Sequence, residues 1–86
     1  MVDYECLYLV LDFVNNNFEC KTRDLRKYFK NISTRQIQRF LKLLEINNLI
    51  IKRINNNKNI YSINDKGLEF LNLWYSLNQL ISFKEV

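Results

Sequence analysis

A chain of 86 residues with no proline and a single glycine, Gly67, has to make its turns from something else. Asparagine can do this, because its side chain tolerates the left-handed backbone that most others avoid. It occurs thirteen times, and the runs Asn15–Asn17, Asn47–Asn48 and Asn55–Asn57 cut the chain into pieces of element length. Asn, Ile, Lys, Tyr and Phe all have AT-rich codons, so their abundance reports genome composition more than chemistry. The placement of the Asn runs is the informative part.

Between these breaks the apolar residues have helical or strand period. From Asp3 to about Asn15, Leu7, Val10, Leu11 and Val14 share one helix face, flanked by Tyr4 and Tyr8. Phe18-Glu19-Cys20 reads as one extended turn or a short strand. Thr22 stands where a cap belongs, before a short second helix with Leu25, Tyr28 and Phe29 on one side. Ser33 is a good N-cap for a third helix, whose stripe Ile37, Phe40, Leu41 and Leu44 follows i, i+3, i+4, i+7. Asn47-Asn48 ends it in the role usually taken by Gly.

Leu49–Ile54 and Ile60–Ile63 are extended runs around the polar tip Asn55-Asn56-Asn57-Lys58-Asn59, which predicts a β-hairpin. Asn64 or Asp65 caps a last helix running to about Ser82, with Asp65 and Glu69 near its positive end. That helix has two apolar stripes, Phe70, Trp74, Leu77 and Ile81 against Leu68, Leu71 and Tyr75, with Leu73 and Leu80 between them. One stripe covers the chain's own core and the other calls for a second chain. The aromatics Tyr4, Tyr8, Phe13, Tyr28, Phe29 and Phe40 are expected in the core.

Charge is segregated along this pattern. Eleven of the thirteen Lys and Arg residues lie between Lys21 and Lys58, opposed only by Asp24 and Glu45. That block carries +9, whereas residues 1–20 carry −4 and residues 59–86 carry −1. Such a block points to a polyanionic partner, nucleic acid being the commonest. Because its cations alternate with helical apolar positions, it reads as a folded surface and not as a disordered tail.

Composition narrows the remaining classes. Eighty-six residues suit one domain with a single core of marginal stability. No apolar run approaches the roughly 18 residues of a membrane span, and the acidic start lacks a signal-peptide pattern. A cytoplasmic, nucleoid-associated protein is the expectation. No histidine is present, which removes most hydrolytic and zinc arrangements, and one glycine cannot build a phosphate-cradling loop. No enzyme activity, metal or cofactor is expected. Cys6 and Cys20 read as buried small hydrophobes in a reducing cell, the alternative being an intersubunit disulfide.

The order helix, helix, helix, hairpin, helix resembles the winged helix-turn-helix family: mainly α with a small β-hairpin. The likeness is densest from Leu25 to Leu71, in Asp24-Leu25-Arg26-Lys27-Tyr28-Phe29, in Ser33 to Glu45, and in Tyr61-Ser62-Ile63-Asn64-Asp65-Lys66-Gly67-Leu68. It implies one winged-helix domain over residues 1–86, with the helix-turn-helix at about 22–47, the wing at about 49–63 and a dimerisation helix at about 64–82. The sequence departs from the family at Asn48 and at Lys30-Asn31-Ile32, where glycine is usual.

The resemblance implies a homodimeric, sequence-specific duplex DNA binder regulating transcription, with residues 33–46 as recognition helix. Arg35 and Arg39, four apart, share a face and suit guanine; Gln36 and Gln38 suit adenine. Thr22, Arg23, Ser33, Thr34 and Lys42 suit phosphate. In the wing, residues 52–59, Lys52, Arg53 and Lys58 would meet backbone or the minor groove. Phe70, Leu73, Trp74, Leu77, Leu80 and Ile81 are the expected dimer seam. The competing readings are a sequence-nonspecific architectural DNA binder and a protein-interaction module.

Overall fold

A computed structural model describes residues 4–81, except for the Ile81 side chain. The expected helix limits Asp3 and Ser82 lie outside the described residues. Within them the order is α1 (Tyr4–Asn16), β1 (Cys20–Lys21), α2 (Thr22–Tyr28), α3 (Thr34–Ile46), β2 (Ile50–Asn55), β3 (Lys58–Ile63) and α4 (Asp65–Ile81). This is the winged helix-turn-helix arrangement.

The strands form an antiparallel sheet ordered β1-β3-β2. Cys20 and Lys21 pair with Tyr61 and Ile60, so the short segment left open between turn and strand is a strand. β2 and β3 form the hairpin, in register from Ile50 opposite Ile63 to Asn55 opposite Lys58. The polar tip is tighter than its five residues suggest. Asn56 and Asn57 alone turn the chain, at φ of 51° and 63°. Two consecutive left-handed residues are what a type I′ hairpin turn requires, and they match the right-handed twist of the strands.

Asn48 likewise ends α3 at φ 60°, standing in for glycine. Ser33 caps α3, its Oγ accepting the Gln36 N–H at 3.1 Å. At α2 the cap differs from the expectation: Thr22 is the first helical residue and Lys21 holds the cap position. The reason is that β1 runs into α2 without a linker, so the last strand residue must also serve as cap. The Lys21 N–H donates to Asp24 Oδ2 at 3.0 Å.

The core gathers Val10, Leu11 and Val14 of α1, Leu25 of α2, and the full α3 stripe Ile37, Phe40, Leu41 and Leu44. Leu49, Ile50, Tyr61, Cys20 and Leu71 close it. Phe40 is buried and Tyr8, Phe13 and Phe29 are half-buried, but Tyr4 and Tyr28 are 64% and 68% exposed. These two lie at the edges of their helix faces. Burial pushes the Cys20 thiol up to about 12, with the charge of Asp24 adding to the effect. A thiol so held is protonated at neutral pH and a poor nucleophile.

One contact fixes where α4 leaves the wing. The Asn64 side chain donates through Nδ2 to the Asn48 carbonyl and accepts the Gly67 N–H at 2.8 Å. The Asn64 N–H donates to the Leu49 carbonyl at 3.3 Å. Gly67 sits so close to Leu49 that a Cβ there would collide with that carbonyl oxygen and with the Ile63 side chain. Helix propensity favours alanine over glycine by about 1 kcal/mol. A backbone oxygen cannot step aside as a flexible side chain can, so the collision outweighs it. Gly67→Ala is therefore expected to lower stability by about 1–3 kcal/mol in urea titration. A gain would show that the junction has slack. Cys20 is expected to resist a thiol reagent at pH 8 in the folded protein and to react once the protein is unfolded.

Candidate nucleic-acid interface

The face of α3 opposite the core is made of Thr34, Arg35, Gln36, Gln38, Arg39 and Lys42, all exposed. Their neighbours Ile37, Phe40, Leu41 and Leu44 are buried, so the core stripe sets which way the polar residues face. Arg35 and Arg39 are one turn apart, about 6 Å along the axis. Among the described residues neither they nor Lys42 forms an ion pair. No acidic residue stands in the first turn of α3, so its positive end is unopposed there. Ser33 Oγ is committed to the cap as an acceptor.

α2 adds Arg23, Arg26 and Lys27, and Lys30 follows in the turn, all exposed. Thr22 is half-buried. Lys21, Thr22 and Arg23 line one open cleft with Lys58 and Asn59 of the wing. The β1–β3 pairing brings these groups together, since Lys21 lies opposite Ile60. Lys21, which opens the basic block, and Asn59, which closes the wing range, are not among the DNA-binding residues named from the sequence. Only a two-residue strand pairing across some forty positions joins Lys21, Thr22 and Arg23 to Lys58 and Asn59, and no local pattern signals it.

The three wing cations do not point one way. Lys52 and Arg53 are neighbours on β2, so their side chains leave opposite faces of the sheet. Lys52 Nζ lies 3.9 Å from Glu45 Oε1 at the end of α3. Arg53 donates to Glu19 Oε1 at 3.3 Å, in the loop before β1. Glu19 holds φ 53°, a left-handed conformation uncommon for a Glu. Lys58, at the tip, forms no ion pair among the described residues. It, the α3 cations and the exposed cations of α2 are open to an anion, while Lys52 and Arg53 would exchange one partner for another.

The expected dimer residues separate in the same manner. Trp74 stacks on Tyr8 with ring centroids 5.0 Å apart and on Phe70 at 6.3 Å. Phe70 and Trp74 are half-buried within their own chain, and Leu71 is buried. Leu73, Leu77 and Leu80 are 63%, 50% and 75% exposed. The Tyr75 hydroxyl donates to Asp12 Oδ1 across the α1–α4 contact, which raises its pKa beyond the usual phenol range. So α4 meets α1 along the seam between its two apolar stripes, taking residues from both. The Ile81 side chain lies outside the described residues.

No protein-family model matches this chain, and no curated protein matches it. Solved structures do resemble it. One is a protein of unknown function from Listeria innocua Clip11262, with a TM-score of 0.75 and 19% identity over 86% of this chain. The chain spans only 52% of that protein's length. A second is a possible HxlR family transcriptional factor from Thermoplasma volcanium GSS1, with a TM-score of 0.72 and 25% identity. There the likeness covers 88% of this chain and 70% of the other. The fold is thus shared with both of these proteins, one of them a possible HxlR family transcriptional factor.

Both ion pairs of the wing are exposed, and exposed pairs contribute at most about 1 kcal/mol. Glu19→Gln and Glu45→Gln are each expected to change stability by less than this in urea titration. A larger loss would make the pairs structural clamps unavailable to another anion.

Proposed function

We propose that the chain is a DNA-binding transcriptional regulator acting as a homodimer. In this reading α3 enters the major groove of duplex DNA, and the wing, residues 52–59, lies on the backbone or in the adjoining minor groove. The observation that carries it is the outer face of α3. It offers two arginines, two glutamines and a lysine, all exposed. The major groove distinguishes base pairs by donor and acceptor pattern, and Arg and Gln are the side chains that read guanine and adenine in two-pronged fashion. The spacing of Arg35 and Arg39, about 6 Å, is near the rise of two base pairs, about 6.8 Å. The likeness to the Thermoplasma volcanium possible transcriptional factor supports the same reading.

The cleft formed by Lys21, Thr22, Arg23, Lys58 and Asn59 then receives phosphate, with Ser33, Thr34 and Lys42 on the backbone to either side of the groove. The homodimer rests on α4. Leu73, Leu77 and Leu80 recur at four-three spacing and are exposed. A second α4 laid against them would set two copies of α3 about 34–36 Å apart, one helical turn of DNA.

Selection of bound sites from random duplex DNA tests the reading directly. A palindromic motif is expected; no enrichment would favour nonspecific architectural binding or a protein partner. Replacing Arg35 and Arg39 together by Ala is expected to cost about 1–3 kcal/mol per lost base contact and to relax specificity. Arg53→Ala should weaken binding to all sequences alike and, if Arg53 meets phosphate, flatten the salt dependence by about 0.9 in log–log slope. Leu77→Lys is expected to give a folded monomer by sedimentation. Leu77 is the informative position because Trp74 also stacks on Tyr8, so its replacement would disturb the chain itself. A wild-type monomer would remove the dimer from the model.

A further inference from the structure

On the side of the molecule carrying the acidic first helix, an open cavity of about 360 Å³ lies between α1 and the end of α2. Its apolar wall is Phe13, Tyr28, Phe29 and Leu9. The three rings hold one another: Phe13 and Tyr28 are 4.7 Å apart, Tyr28 and Phe29 4.8 Å, and Phe13 and Phe29 5.6 Å. Tyr28 nevertheless remains 68% exposed, so much of its ring is left for something else to cover.

The rim carries one carboxylate and two amides. Asp12, Asn16 and Asn17 line it. Asn16 spends an amide N–H on Asp12 Oδ2 at 3.3 Å, and Asn17 spends one on the Phe13 carbonyl at 2.7 Å. Each amide is thereby fixed through one N–H, leaving Oδ1 as an acceptor beside its second N–H. Asp12 accepts from Tyr75 and Asn16 but, among the described residues, has no cationic partner. No Lys or Arg occurs before Lys21, so nothing on α1 neutralises it. A carboxylate and two carbonyl oxygens above aromatic rings suit a donor-rich positive group on an apolar body, with the ring faces adding cation–π attraction. The volume falls at the small end of ligand pockets.

We infer that this cavity binds a small protonated amine with an aromatic body, its ammonium on Asp12, Asn16 and Asn17 and its ring against Tyr28 and Phe13. None of the lining residues is a Lys or Arg, although Lys27 and Lys30 flank Tyr28 and Phe29 in sequence, and the inference does not depend on DNA binding. The cavity's position gives it a route to α3. Phe29 caps α2, its N–H donating to Leu25 at 2.8 Å, and its carbonyl accepts the Ile32 N–H at 3.4 Å in the turn before α3. An occupant packed on Phe29 therefore touches the turn that sets the angle of α3.

The test uses tryptamine and tryptophol, which differ in carrying an ammonium or a neutral hydroxyl, followed by calorimetry and by amide chemical shifts. Tryptamine is expected to bind saturably, with shifts at residues 9–17 and 28–29, and tryptophol to bind at least about tenfold more weakly, a difference of about 1.4 kcal/mol. Asp12→Asn should weaken tryptamine binding to a similar degree. Because Asp12 also holds Tyr75, two further variants decide the matter independently of its folding. Tyr28→Ala should weaken binding, and Asn16→Asp, which adds a second carboxylate to the rim, should tighten it. Absence of saturable binding, equal affinity for the two probes, or binding indifferent to both Tyr28→Ala and Asn16→Asp would overturn the assignment.

Discussion

The basic face depends on a junction only a few residues wide, where α3 ends, the wing begins and α4 starts. The Asn64 side chain ties the Asn48 carbonyl to the Gly67 N–H, while the Asn64 and Leu49 backbones bond each other and Leu49 bonds back to Leu44. Three elements that meet at one point can differ in direction only as far as that point allows. The angle between α3 and the hairpin, and so the shape offered to any partner, is set there. Gly67 is needed because two backbones approach within a distance that no Cβ fits. It is not needed for a turn, since none of the described positive-φ residues is glycine.

The division of labour between Gly and Asn explains how a chain so poor in glycine folds at all. Left-handed backbone costs an ordinary L-residue about 1–2 kcal/mol, and asparagine is among the few residues that visit it routinely. Asn48, Asn56 and Asn57 take three of the positive-φ positions. Glu19 takes another, next to β1, with its carboxylate bonded to Arg53. That ion pair is too exposed to contribute much in water. The Arg53–Glu19 contact nevertheless joins the loop before β1 to the middle of the hairpin, on the outer side of the sheet.

Legibility from sequence followed the range of the interaction concerned. The α3 stripe, the Ser33 cap and the stop at Asn47-Asn48 are local, and all could be read from spacing. The polarity of the outer α3 face was equally legible, because it is the complement of the core stripe. The cap at Lys21 was not, since it depends on β1 pairing with a strand some forty residues later. The opposed directions of Lys52 and Arg53 were legible in principle from strand alternation. In α4 the apolar positions were plain, but which of them turn inward depends on Tyr8 and Asp12 of α1. A helix apolar on most sides gives no hint of which stripe meets its own chain.

The inward choice in α4 bears on what the proposed dimer would do energetically. Among the described side chains Leu71 is the last buried one of α4, and from Tyr75 to Leu80 every residue is exposed. An isolated helical stretch of this length is marginal in water, because nucleation is costly and most helical stability comes from packing one face. Leu73, Leu77 and Leu80 would supply that face only against another surface. In the homodimer reading, ordering the second half of α4 and burying these leucines are therefore one event. Association would stabilise the fold in proportion to protomer concentration, and a core of this size has little margin to spare. The apolar seam would then set the separation of the two α3 helices and supply part of the stability that keeps each junction rigid enough to aim them.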